Sequence, residues 1–119
     1  MQQQQIVDYR ERIETAYREF NDRHIDAVLA LMRPDVDWPN GMEGGRVYGH
    51  EGVRAYWIRQ WALVDPHVEP IEIDTSRPDV IAVKVHQVVR DIEGNLLSDS
   101  IVNHMYRFSG GLIARMDIE

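Results

Sequence analysis

The sequence predicts an α+β fold in which N-terminal helices pack within a curved antiparallel sheet. Three observations predict it. Apolar residues recur at offsets of three and four in the first half, the period drops to two after Pro66, and turn residues separate the alternating stretches that follow. At 119 residues the chain is read as one domain over 1–119, since a single core is usually built from ~100–200 residues. The Gln run at 2–5 reads as a frayed head.

Ile6, Tyr9, Ile13, Ala16, Tyr17 and Phe20 form one stripe of a first helix whose other face is Arg and Glu. A short second helix is expected over about Ile25 to Met32. It must end near Arg33, because Pro34 disfavours helical geometry in the residue before it. "DVDW" at 35–38 reads as a brief strand, and "PNGMEGGRVYG" at 39–49 as a Gly-rich loop ending in a helix start. Gly41, Gly44 and Gly45 match no phosphate-binding spacing and read as turn chemistry. A third helix is expected from about His50 to Ala62, with Val53, Tyr56, Trp57 and Gln60 or Trp61 inward. Four strands follow over 68–74, 79–91, 96–108 and 112–118. Arg77-Pro78, Glu93-Gly94-Asn95 and Ser109-Gly110-Gly111 supply the turns between them.

The last strands are apolar on both faces. A curved sheet accounts for this if its concave side holds helices and a pocket and its convex side meets a second copy in a homodimer. The net charge of −7 and the lack of a basic run argue against a nucleic-acid partner. No run approaches the ~18 apolar residues of a membrane span, and no secretory h-region is visible. With no Cys, disulfides, thiolate catalysis and Cys-ligated zinc are absent. A cytoplasmic setting fits.

His104 is the first candidate for chemistry. It shares a strand face with Val102, Tyr106 and Phe108, and an imidazole facing an apolar pocket is kept neutral by desolvation. A neutral ring can act as general base or as hydrogen-bond donor near physiological pH. The competing reading is a core His satisfied by Asp99, Tyr106 or a backbone carbonyl. His86 would face His104 across the hairpin if the register is counted symmetrically from Gly94; a bulge would change that. A two-His metal site would need Asp99 or Asp37 as third ligand, and no metal or cofactor is expected.

Trp38, Tyr48, Tyr56, Trp57 and Trp61 gather around the Gly-rich loop and third helix, forming walls suited to a flat polyketide, terpenoid or aromatic ligand. His50, in the first turn of helix three, is disfavoured as imidazolium by the helix dipole and is a neutral donor or acceptor candidate. Asp37 and Asp117 are expected to face outward.

"FNDRHIDAVLALMRPDVDWPN", "GRVYGHEGVRAYW" and "VNHMYRFSGGLIARMDI" resemble the SnoaL-like branch of the nuclear transport factor 2-like superfamily, from about Ile6 to the C-terminus. The resemblance implies a cone of cystatin-like topology, commonly homodimeric, with a pocket between helices and bent sheet. It also implies polyketide-, terpenoid- or steroid-like ligands handled by isomerases, cyclases, dehydratases or non-catalytic binders. Aligned on Tyr106-Arg107-Phe108, the Asp that serves the substrate oxyanion in ketosteroid isomerases becomes His104. Their base, an Asp before a Pro, becomes Trp38 before Pro39. Their oxyanion Tyr falls on Ala16, or with an offset of one on Tyr17. Ketosteroid isomerase activity itself is therefore not expected, and no Arg flanked by two Asp on facing strands, as in the epoxide hydrolases, is evident. The candidates are His104, His86 and Tyr106 for chemistry, and Trp38, Tyr48, His50, Tyr56, Trp57, Trp61 and Phe108 for substrate binding.

Overall fold

A computed structural model of the protein describes residues 9–119; the expected frayed head and Ile6 lie outside the described residues. The chain runs α1 (Tyr9–Asn21), α2 (Ile25–Leu29), β1 (Met32–Pro39), β2 (Arg46–Tyr48), α3 (Gly49–Leu63), β3 (Val64–Asp74), β4 (Ile81–Asp91), β5 (Leu96–Ser109) and β6 (Leu112–Ile118). The strands form one six-stranded sheet in the order β2-β1-β6-β5-β4-β3.

The α+β expectation holds, with one amendment to the sheet. β1 runs parallel to β6, so the sheet is mixed; every other neighbouring pair is antiparallel. The parallel pair arises because the chain returns to β1 only after the long excursion through α3 and β3–β5. α2 stops at Leu29, short of the expected Met32, because Met32–Pro39 is drawn into β1. Residues 46–48, expected within a loop, form β2 and pair with Asp37–Pro39. β3 starts directly after α3, four residues before the expected position, and carries Pro66 within it.

The helices lie on one face of the sheet. Ile13, Ala16 and Tyr17 of α1, Val28 and Leu29 of α2, and Val53, Tyr56 and Trp57 of α3 pack with Val36, Trp38, Val68, Val83, Val85, Tyr106, Ile113 and Met116 of the strands. Fully burying such side chains contributes about 1.5–3 kcal/mol each. Register shifts interrupt the ladders of β3, β5, β1 with β6, and β5 with β6, and shifts of this kind bend a strand. Gly49, at φ 75°, opens α3; a Cβ there would sit 3.2 Å from the Pro34 carbonyl oxygen, so glycine permits β1 and α3 to approach. None of the described helices is long and apolar enough to cross a membrane.

One shift decides which histidine faces inward. Arg90 pairs with Leu96, yet Val89 pairs with Ser98, so Leu97 is an extra residue in β5. Beyond it, Val83 lies opposite His104 and His86 opposite Ile101. Directly paired residues share a face, and a one-residue slip exchanges faces. The symmetric count from Gly94 is thereby overturned. Ile81, Val83 and Val85 point inward and are buried, while His86 points outward.

Candidate functional site

A cavity of about 600 Å³ lies between the helices and the inner face of the sheet. Its walls are mostly apolar, with Ala16, Phe20, Val28, Met32, Trp38, Trp57, Val68, Val102 and Met116 among them. Trp38 and Trp57 meet edge to face, ring centres 5.7 Å apart at 88°, and Trp38 is tilted against Tyr106 at 6.3 Å.

Three polar side chains form a chain inside this apolar setting. Tyr17 arrives from α1 and His104 and Tyr106 from adjacent inward positions of β5. Tyr106 Oη donates to Tyr17 Oη at 2.8 Å, and Tyr17 Oη lies 2.7 Å from His104 Nδ1. His104 is only 6% exposed. Burial pushes its pKa down from 6.5 to about 4, so the ring is neutral at physiological pH. Burial likewise holds the Tyr17 and Tyr106 hydroxyls protonated, well above the usual phenol range; Tyr106 adds to the effect at Tyr17, and its own hydrogen bond to Tyr17 opposes burial. With Nδ1 engaged by Tyr17, Nε2 is the ring nitrogen left to meet a guest. The core-histidine reading had named Asp99, Tyr106 or a backbone carbonyl as the partner; the partner is Tyr17.

The sequence-derived candidates separate into two groups. His104, Tyr106, Trp38, Tyr56 and Trp57 line the cavity. The others do not. His86 is on the outer face, its Nε2 2.7 Å from Asp99 Oδ1, with 40% of the side chain exposed. Tyr48 is 65% exposed, because β2 is an edge strand that turns it outward. His50 is held by its Nε2 to the Met32 carbonyl at 3.0 Å, where it joins α3 to β1. Trp61 stacks on Trp57 at 5.7 Å under the Arg23 guanidinium, which lies 4.8 Å from its ring. Phe108 packs 4.3 Å from Tyr9, beyond the bulge between Arg107 and Phe108.

Sequence reading missed the rim. Arg46 of β2 bridges Asp37 of β1 at 2.6 Å and Asp117 of β6 at 2.9 Å, and Arg115 contacts Asp37 at 2.7 Å and Asp117 at 2.8 Å. An Arg between two Asp on facing strands is therefore present after all, and Asp117, expected to face outward, borders the cavity with Arg46. The Arg115 guanidinium, then Arg46, hold the Asp117 carboxyl below the usual range. Both carboxylates are committed to two cations each, and Arg46 also donates to the Asp37 and Met116 carbonyls. Neither is free to activate water, so the group acts as a clamp joining three strands. Its signal was weak: Arg46 follows two glycines in a stretch that reads as loop. Tyr17 had a signal, lying on the buried stripe of α1 and one position from the aligned oxyanion Tyr.

Among the described residues, Glu19, Asp22 and His24 bring three potential metal-ligand atoms within 4.8 Å of one another. Glu19 and His24 already pair at 2.8 Å on the surface, away from the cavity.

Residues 13–116 match the family model described as a SnoaL-like domain. Among solved structures, TerC co-crystallised with polyporic acid is 27% identical, with a TM-score of 0.80 over 92% of this chain and 88% of that one. An NTF2-like protein of unknown function from Burkholderia pseudomallei is 25% identical, with a TM-score of 0.83 over 96% and 91%. A Mycobacterium tuberculosis protein in complex with estradiol-17β-hemisuccinate is 24% identical, with a TM-score of 0.78 over 93% and 92%, a likeness of fold. No curated protein matches the chain. A matched stretch covering most of the chain, on this order of helices and strands, makes the protein a member of the SnoaL-like domain family.

Proposed function

We propose that the protein binds a flat, largely apolar small molecule of polyketide, terpenoid or steroid type and polarises one of its oxygens with His104, without a cofactor. The observation that carries this is the neutral, buried His104 on the wall of a 600 Å³ apolar cavity, its Nδ1 capped by Tyr17. If Tyr106 donates to Tyr17 and Tyr17 to Nδ1, the ring proton resides on Nε2. A donor fixed in a water-poor site is worth more than the same donor in water. It would stabilise an enolate or polarise a carbonyl, as isomerisation, cyclisation or dehydration requires. The ligands of TerC and of the mycobacterial protein support the ligand class.

A second reading, a binder without chemistry, is favoured by one observation. Asp117 is the sole carboxylate among the described lining residues, and it is paired with two arginines. An unpaired carboxylate base is thus missing among the described residues of the wall. Pairing of two copies through the outer sheet face is part of the proposal, supported by exposed Leu97 and Ile101, as is a cytoplasmic setting.

Quenching of the Trp38 and Trp57 fluorescence by estradiol tests the reading. Wild type should bind, and His104→Ala should bind at least ~10-fold more weakly while remaining folded by circular dichroism, the loss expected for a buried polar contact. Unchanged affinity in a folded His104→Ala protein would refute the role of the ring. Recovery of altered rather than intact ligand after long incubation would select catalysis over binding alone.

A further inference from the structure

The inner face of β4 carries Ile81, Val83, Val85, Gln87 and Val89, so one amide interrupts a run of aliphatic side chains. Gln87 lies opposite Val68 on β3 and Ser100 on β5, and it lines the cavity. Apart from His104 and the Trp38 and Trp57 indoles, the other polar side chains of the wall are engaged. Asn40 is bonded to Glu43 at 2.9 Å, Gln60 donates to the Tyr56 hydroxyl at 3.2 Å, and Arg46 and Asp117 belong to the rim clamp. The Gln87 amide has no hydrogen-bond partner among the described residues. A Val or Leu there would extend the apolar face, whereas a half-buried amide costs stability unless something hydrogen-bonds to it.

Its distance from His104 is set by register. Val83 is opposite His104, and Gln87 is four residues further along β4. At ~3.3 Å per residue the two positions are about 13 Å apart along the strands. The paired Val85 and Val102 separate them on the same face. Apolar surface thus lies between two polar groups that have capacity to spare, His104 Nε2 at one end and the Gln87 amide at the other.

We propose that Gln87 is a specificity-determining residue that meets the far end of the ligand, so that the preferred ligand is an elongated apolar scaffold with an oxygen at each end. This rests on the cavity being the binding site. An amide both donates and accepts, so it accommodates a ketone or a hydroxyl at that end.

Two probes that differ only at one end test it: estradiol, and its 17-deoxy analogue, which keeps the phenol alone. Each is titrated into wild type and into Gln87→Leu, a change close to volume-neutral. Wild type should prefer estradiol by ~5-fold or more, the discrimination a neutral hydrogen bond provides. Gln87→Leu should abolish that preference by weakening estradiol while leaving the 17-deoxy analogue unchanged within twofold, and its melting temperature should not fall. Equal affinities in wild type, or a Gln87→Leu change that shifts both probes alike, would overturn the assignment of Gln87 and leave the cavity reading standing. Failure of both probes to bind wild type would overturn the two together.

Discussion

The two faces of the β4–β5 ladder each carry a histidine, and the contrast between them separates a buried ring from a solvated one. His104 on the inner face is buried, neutral and bonded to a tyrosine; His86 on the outer face is half-exposed and bonded to Asp99. The strands are neighbours and the residue type is the same. What differs is the medium. Inside, desolvation acts on the ring without a counter-charge; outside, water and a carboxylate are both within reach. A histidine found in an alternating strand is therefore informative only once its face is known.

The largest expected effect is on stability against pH. His104 has a folded pKa near 4 and an ordinary value of 6.5. Between those values the unfolded chain binds the proton more readily than the folded one, so stability falls as pH falls through that window. The full loss below pH 4 is about 3 kcal/mol, from ~1.4 kcal/mol per unit. In urea melts from pH 7.5 to 4, the wild type should lose this amount relative to His104→Gln, which has no proton to take up. Equal slopes for wild type and His104→Gln would mean that the inner ring is not desolvated, and the contrast between the faces would collapse.

Tyr17→Phe is expected to have the next largest effect. It strips the partner from His104 Nδ1 and the acceptor from the Tyr106 hydroxyl, both buried, at a cost of about 1–3 kcal/mol. Chemical denaturation at pH 7 measures it. Nitrogen chemical shifts of the His104 ring sharpen the comparison: the proton should be on Nε2 in wild type. A proton on Nδ1 would instead make Nε2 a base and reverse the proposed donor role.

Much of this architecture was legible beforehand because it depends on local periodicity. The stripe from Tyr9 to Phe20, the inward Val53, Tyr56 and Trp57, and the alternation around His104 all follow from side chains recurring at the period of their element. The resemblance to SnoaL-like proteins rested on the same stretches and was correct. What escaped depended on single residues inserted between periodic segments. Leu97 is one extra position in β5, and it moved His86 from the cavity to the outside. Arg46 sits in a strand of only three residues preceded by two glycines, so neither β2 nor the clamp it closes had a pattern to announce them. Tyr48, His50 and Trp61 were gathered by proximity in sequence, whereas membership of a cavity wall depends on direction; Phe108 followed from the alternation of β5, which the register shift between Arg107 and Phe108 interrupts. Tyr48 is turned away at the sheet edge, and Trp61 is displaced behind Trp57.

The smallest expected effect probes the outer face. His86 and Asp99 form an exposed pair of the kind that contributes about 0–1 kcal/mol, since water already solvates both groups and ordering two side chains opposes the attraction. His86→Ala and Asp99→Asn should each change stability by less than ~1 kcal/mol in dilute protein and leave estradiol affinity at the wild-type value. The outer face would become a second functional surface if the loss instead grew with protein concentration. Burial against another copy would remove the solvent that makes the pair weak, and Leu97 and Ile101 beside it would then be covered as well. Denaturation of both variants at two concentrations a hundredfold apart distinguishes these cases: coincident curves leave the pair a solvated surface feature, and separated curves assign it to an interface.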